Sequence, residues 1–269
     1  MAQAVASAEG QGFDEVIVLD NASTPPLPAF PGARVIRSDV NLGIAGGRNR
    51  IAAEATSDVL LIVDDDAVLR PGAADVVRED FAADPGLGGV ALRIERPGGV
   101  VLPLEQPYAR HRRPAPDHPA PCTYFIGAGH AVRLAAYRAV GGGDERMHYG
   151  TDEIEAAFRL LQAGWRIRYD PRAVVEHRPA ETGRMPAAQR VGHHLHNRIM
   201  LARSFLPLPI RAVHVLAWLA LTAPKAWRAG GTGTWFREIG RGFREPVQRR
   251  PIPLRRLWEI HRLGGRVFY

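Results

Sequence analysis

Three consecutive carboxylates, Asp64, Asp65 and Asp66, follow directly on the apolar run Val59–Val63. Like charges held so close disfavour one another's ionisation, and a cation relieves that cost. Oxygen donors suit Mg2+ or Mn2+, which take one or two protein carboxylates and complete their shell with substrate phosphates and water. The chemistry this predicts is a metal bridging Asp66 to a diphosphate, with Asp64 facing a ribose or a sugar. A merely solvated acidic loop has the same composition, but an apolar five-residue strand pattern just before it favours a site. A second acidic pair, Asp152-Glu153, opens a helical pattern. The helix dipole stabilises negative charge there, which suits an ionised general base; acids also open helices simply as caps. His177 ends the strand-like run Ala173-Val174-Val175-Glu176, as a metal-site candidate or a structural histidine.

These residues need elements to hold them. Residues 15–19 form a β-branched apolar run ending at Asp20, and the stretch Asn21-Ala22-Ser23-Thr24-Pro25-Pro26 has turn chemistry. Short strands are predicted at 34–37, 59–63, 89–94, 100–102, 123–126, 165–169 and 173–176. Helices are predicted at 1–9, 48–55, 72–82, 133–140 and 151–163, and from about residue 186 onward. Gly141-Gly142-Gly143 and Gly164 are stop signals for two of them. In the first half strands alternate with helices, and the strands are continuous apolar runs. That pattern predicts a mostly parallel α/β sheet covered on both faces, with ligands at the carboxyl ends of its strands. Asp20 and the acidic triplet both fall there.

The ordered set VIVLDNAS (16–23), NLGIAGGRN (41–49), LLIVDDDA (60–67), GAGHAVR (127–133), GGGDE (141–145), TDEIEAAFRLLQAGWRI (151–167) and VVEH (174–177) resembles family 2 glycosyltransferases of the GT-A fold, notably rhamnosyltransferase-like members. The resemblance spans about residues 13–205, and the order and spacing are more specific than any single motif. It implies an inverting, metal-dependent transfer of a sugar from a nucleoside-diphosphate donor, dTDP- or UDP-linked, to a hydroxyl of a glycan, a lipid-linked compound or a small molecule. Mg2+ or Mn2+ is the implied cofactor. Residue by residue, it implies that Asp20 and Asn21 lie against the nucleobase and that Gly43, Arg48 and Asn49 line the nucleotide site. Asp65 and Gly127 would belong to the nucleotide-sugar site. Asp64 and Asp66 would form the Asp-x-Asp motif, with Asp66 the direct metal ligand, Asp64 beside it and His177 near the metal or diphosphate. The family's Glu-Asp pair corresponds to Asp152-Glu153 in inverted order, so the base would be Glu153, with Asp152 as the alternative.

One departure from the family pattern stands out. Members begin with another strand, which carries part of the nucleobase pocket, whereas this sequence starts within the helix that follows it. The expectation is a GT-A fold lacking its usual first strand. It also leaves open a catalytically impaired binding or scaffold protein. The predicted division is a catalytic domain at 1–185 and a basic helical extension at 186–269.

Composition narrows the partners. The single cysteine, Cys122, excludes an intramolecular disulfide and a cysteine-based zinc cluster. Residues 1–180 carry 19 Lys/Arg against 24 Asp/Glu, whereas 181–269 carry 16 against 4, a net of +12. A basic tail suits an anionic partner. The apolar stretch 212–223 is shorter than the roughly 20 residues that a membrane span needs, but with Arg and Trp around it, it could lie in a membrane interface. The expected location is cytoplasmic, with peripheral contact on the inner face of the membrane as an option. No nucleic acid is expected, because no nucleic-acid module is recognisable. No G-x-G-x-x-G follows the first strand, which argues against a dinucleotide-dependent oxidoreductase.

Overall fold

The computed structural model describes residues 1–108, 115–179 and 185–265. The elements are α1 (Ala2–Ala8), β1 (Ile17–Asn21), β2 (Arg34–Ser38), α2 (Gly43–Glu54), β3 (Val59–Val63), β4 (Ala67–Leu69), α3 (Ala73–Ala83) and β5 (Leu87–Glu95). A 3-10 turn (Pro103–Glu105), β6 (Ala120–Cys122), β7 (Gly129–Arg133), α4 (Leu134–Ala139), α5 (Asp152–Gln162) and β8 (Arg166–His177) follow. Among the described residues four helices come next: α6 (Ala187–Phe205), α7 (Ile210–Arg228), α8 (Thr232–Arg244) and α9 (Leu254–Arg262).

The main sheet has the order β3-β7-β5-β8-β4, with β6 also on β8. Its core strand, β5, alternates between two layers. Val90, Leu92 and Ile94 pack with Val77 and Phe81 of α3. Ala91 faces the other way, into a cluster with Phe158 and Leu160 of α5 and Leu195 and Ile199 of α6. This period of two buries both faces of the sheet. Burying one such large apolar side chain stabilises by about 1.5–3 kcal/mol. The α6 helix thus shares the core of the preceding elements, and the basic C-terminal segment begins as a packed layer.

The expectation of a mostly parallel sheet is corrected. Among the described residues only β1–β2 and β5–β8 pair in parallel; β3–β7, β5–β7, β4–β8 and β6–β8 are antiparallel. The sheet is mixed because β7 enters between β3 and β5 from a loop rather than through a helical crossover, and so runs against both. An apolar run records that both faces are covered, not which way its neighbour points. Three strand predictions also shift. Residues 100–102 and 123–126 are not strands, while the runs predicted at 165–169 and 173–176 join into one long β8 that passes a register shift opposite Leu92/Arg93.

β1 and β2 form a sheet of their own. Among the described residues, neither the outer edge of β1 nor that of β3 has a strand partner. A cavity of about 680 Å³ lies between them, lined by Val16–Leu19, Leu60–Val63, Val5 and Ala8 of α1 and Ile51 of α2. At its polar end it reaches Asn21, Arg48, Asp64 and Asp65.

A carboxylate cleft around Arg48

The carboxyl ends of β1, β3 and β8 and the N-termini of α2 and α5 face one cleft. Gly43 opens α2 with φ 71°, a left-handed conformation suited to glycine. A Cβ there would come within 2.5 Å of His148 Nδ1 and 2.9 Å of its Cα, so no side chain fits. The close approach brings Arg48, one turn into α2, to the centre of the cleft. Arg48 is buried. It pairs with Asp152 through Nη1, and with Asp64 Oδ1 at 3.3 Å through Nη2, which also donates to the Gly127 carbonyl at 3.0 Å. One guanidinium therefore joins segments from α2, β3, the loop before β7, and α5.

Thr151 precedes α5 with φ 74°, an uncommon backbone for a β-branched residue. Such strain clusters at functional sites, and here it turns Asp152 inward. Asp152 is 3% exposed. Burial raises its carboxyl to about 7, with Arg48 pulling the other way and Glu153 adding to the rise. Glu153 is only partly buried and lines the small pocket shared with Arg48, His130 and Tyr137. Of the two acids, Asp152 is committed to Arg48 and Glu153 stands nearer solvent.

The triplet after β3 splits. Asp64 faces Arg48, and desolvation raises its carboxyl while Arg48 opposes the rise. Asp65 is exposed, and its carbonyl accepts from the Met1 amine. Asp66 turns to His177, with Oδ1 3.4 Å from Nε2. His177 Nδ1 lies 2.7 Å from Glu105 Oε1, and Glu105 is gripped by Arg96 at 2.7 and 2.8 Å. Burial disfavours the charged imidazole, but Glu105 and Asp66 outweigh it and the His177 pKa is raised. The Glu105 carboxyl is lowered: burial opposes its charge, and His177 and Arg96 overcome that.

Asp66 and His177 together present a carboxylate oxygen and an imidazole nitrogen. Among the described residues no group of three His, Cys, Asp or Glu could hold a metal ion. Two protein donors nevertheless fit a divalent ion that draws its remaining ligands from phosphates and water. Asp64, predicted beside the metal, is engaged by Arg48 instead.

Other predicted residues are placed differently from one another. Asp20 is buried and turned into its own loop, where it accepts from the Ser23 and Leu27 amides at 2.9 and 3.1 Å and pairs with Arg37. Burial works against its charge, but these partners prevail and bring the carboxyl down to about 2. Asn21 accepts from the Leu42 amide at 2.8 Å and donates to the Gly43 carbonyl at 3.3 Å, which docks β1 onto α2. Asn49 is a clamp rather than an open donor: its amide bonds both backbone groups of Gly143 at 2.9 Å and accepts from the Tyr137 hydroxyl at 3.0 Å. Sequence reasoning missed Glu105. It sits in an irregular Pro-rich segment 72 residues from His177, and the only available signal was that a ligating histidine generally needs a carboxylate or carbonyl behind it.

Residues 1–120 match the family model described as Glycosyl transferase family 2. The pre-mycofactocin glycosyltransferase of Mycobacterium tuberculosis is 34% identical over an alignment of 179 positions that covers 60% of this chain and 37% of that protein. The chain therefore spans little more than a third of that relative. The N-acetylglucosaminyl-diphospho-decaprenol L-rhamnosyltransferase of the same organism is 26% identical over 227 residues, 70% of this chain and 74% of the relative. In fold, the chain superimposes on a crystal structure of GalNAc-T7 with UDP, GalNAc and Mn2+ at a TM-score of 0.61 and 13% identity, covering 89% of this chain and 54% of that one.

Proposed function

We propose that this carboxylate cleft transfers a sugar from a nucleoside-diphosphate donor to an acceptor hydroxyl with inversion, since residues 1–120 match the glycosyl transferase family 2 model and the chain has the GT-A fold. The observation that carries this reading is the convergence on Arg48: Asp64 and Asp152 meet one buried guanidinium, with Asp66 and His177 adjacent.

In this reading Asn21, Gly43, Arg48, Asp64 and Gly127 border the nucleotide-sugar pocket at the carboxyl ends of β1 and β3. Asp66 and His177 would hold a divalent cation, Mg2+ or Mn2+, which would supply positive charge against the departing diphosphate. Glu153, the more accessible acid, takes the proton from the acceptor hydroxyl. Asp152, fixed by Arg48, keeps Glu153 at the mouth of the cleft. The hydroxyl then attacks the anomeric carbon from the face opposite the leaving diphosphate, so no covalent enzyme intermediate forms. Arg48 ties the donor side, at Asp64, to the acid pair, at Asp152. dTDP- and UDP-linked sugars are the proposed donors.

A second reading has a specific observation behind it. The cavity of about 680 Å³ beside Asn21 and Asp64 leaves one wall of the donor pocket open, which favours a protein that binds the nucleotide without turning it over. Thermal unfolding with a panel of nucleoside diphosphates and their sugars, with and without Mn2+, tests both, since a bound nucleotide raises the transition by mass action. Stabilisation by one donor class that requires Mn2+, together with donor hydrolysis or transfer, supports the enzyme. Stabilisation without turnover supports the second reading, and no stabilisation by any nucleotide contradicts both.

A further inference from the structure

Nine of the thirteen exposed large apolar side chains among the described residues lie between positions 208 and 258. On α7, positions 213, 216, 220, 224 and 227 recur at steps of three and four and therefore share one face. They are Val213, Leu216, Ala220, Pro224 and Trp227, all exposed; Leu216 is 64% and Trp227 78% exposed. The helix carries no acid, and its cations sit at its ends: Arg211, Lys225 and Arg228. On α8, Phe236 and Phe243 are exposed seven residues apart, each followed by an arginine, Arg237 and Arg244. Trp235 Nε1 donates to Thr222 Oγ1 at 2.9 Å, which ties α8 to α7.

The charge on this surface selects what covers it. Of the few acids in the segment, Glu238 is buried and paired with Arg241 and Arg237, Glu245 is paired with Arg241, and Glu259 with Arg256. Among the described residues Lys225, Arg228 and Arg244 have no carboxylate partner within salt-bridge distance. A second copy of the chain would bring two cationic faces together, and a nucleic acid gains nothing from an apolar stripe. An apolar face flanked by cations matches the boundary between acyl chains and anionic headgroups. No helix among the described residues is long and apolar enough to cross a membrane.

We infer that α7, with the exposed face of α8, is a docking surface for an anionic lipid bilayer. The helix lies in the plane of the surface, with Val213, Leu216 and Trp227 entering the headgroup region and Lys225, Arg228, Arg237 and Arg244 meeting lipid phosphates. Combined with the proposed transfer reaction, on which this clause alone rests, the acceptor class is a hydroxyl compound carried on a lipid anchor.

The test is flotation of the whole chain with vesicles of equal parts phosphatidylglycerol and phosphatidylcholine, against phosphatidylcholine alone. Binding is expected only to the anionic vesicles, falling when salt is raised to about 0.5 M. Leu216→Glu and, separately, Trp227→Ala should each weaken it about tenfold or more, without moving the thermal transition, because both side chains are exposed. No binding to anionic vesicles, or undiminished binding by both variants, overturns the inference. So does a solution dimer, by light scattering, that Leu216→Glu splits. Donor-dependent thermal stabilisation in the same samples reports on the cleft alone, so either proposal can fail without the other.

Discussion

The two acidic clusters of the cleft are built from the same residue types and live in opposite surroundings. After β3, Asp66 keeps 29% of its side chain exposed and meets a histidine. At the start of α5, the Asp152 side chain is 4% exposed and meets an arginine. In both clusters adjacent residues part company: Asp64 turns to Arg48 and Asp66 to His177, while Asp152 is buried and Glu153 is not. Charge alone marks both clusters as candidate sites. Burial and partner set the two apart: the first cluster keeps a part-exposed carboxylate at Asp66, and the second a fixed acid beside a more accessible one.

The largest effect that could break this division is at Glu153. Glu153→Gln keeps size and hydrogen bonding but removes the proposed base, and turnover should fall about 10²–10⁴-fold with donor affinity unchanged. An equal loss on replacing only Asp152 would reassign the base. Next is Arg48. Arg48→Met leaves Asp152 in its buried site without a cation, a defect that costs about 3–5 kcal/mol, and urea unfolding should show it. A loss below about 1 kcal/mol would mean that Arg48 does not join the two clusters.

Glu105→Gln sharpens the first cluster. Weakening the group behind a metal-ligating histidine typically costs about 10–100-fold in metal affinity. A Mn2+ titration followed by electron paramagnetic resonance should show a loss in that range with the unfolding temperature preserved; unchanged affinity would make Glu105 a purely structural partner. The smallest effect concerns pH. The Asp152 carboxyl is raised from 3.8 to about 7 in the fold, chiefly by burial. Between those values the folded chain holds a proton that the unfolded chain has lost, so this residue's contribution to stability is full below about pH 4 and disappears as pH rises through about 7. Asp152→Asn should flatten the decline in stability between pH 4 and 7, and an identical slope in both proteins would remove Asp152 as its source.

Much of this cleft was legible because its signals are local. Val59–Val63 is a strand with the predicted bounds, since a continuous β-branched and leucine run leaves little choice. The α5 helix runs close to its predicted limits because Gly164 stops it and its acids suit its start. What was not legible depends on pairing across the chain. The direction of β7 and the joining of two predicted strands into β8 are decided by neighbours distant in sequence, and apolar patterning is the same for either direction. The motif around Arg48 was legible, but the link of Arg48 to Asp152, 104 residues away, was not. Asn49 and Asp20 show another limit: residue types that suit a nucleotide site are also those that clamp loops, and here both bond backbone groups and side chains of the fold.

The central claim is that Asp66, with His177 behind it, holds a divalent cation for a nucleoside diphosphate. The direct measurement is calorimetric binding of UDP and dTDP to the wild type and to Asp66→Ala, each with and without Mn2+. The account predicts that Mn2+ tightens nucleotide binding to the wild type by at least about tenfold, ~1.4 kcal/mol, and that Asp66→Ala loses this increment while keeping its metal-free affinity. A full Mn2+ increment in Asp66→Ala would contradict it.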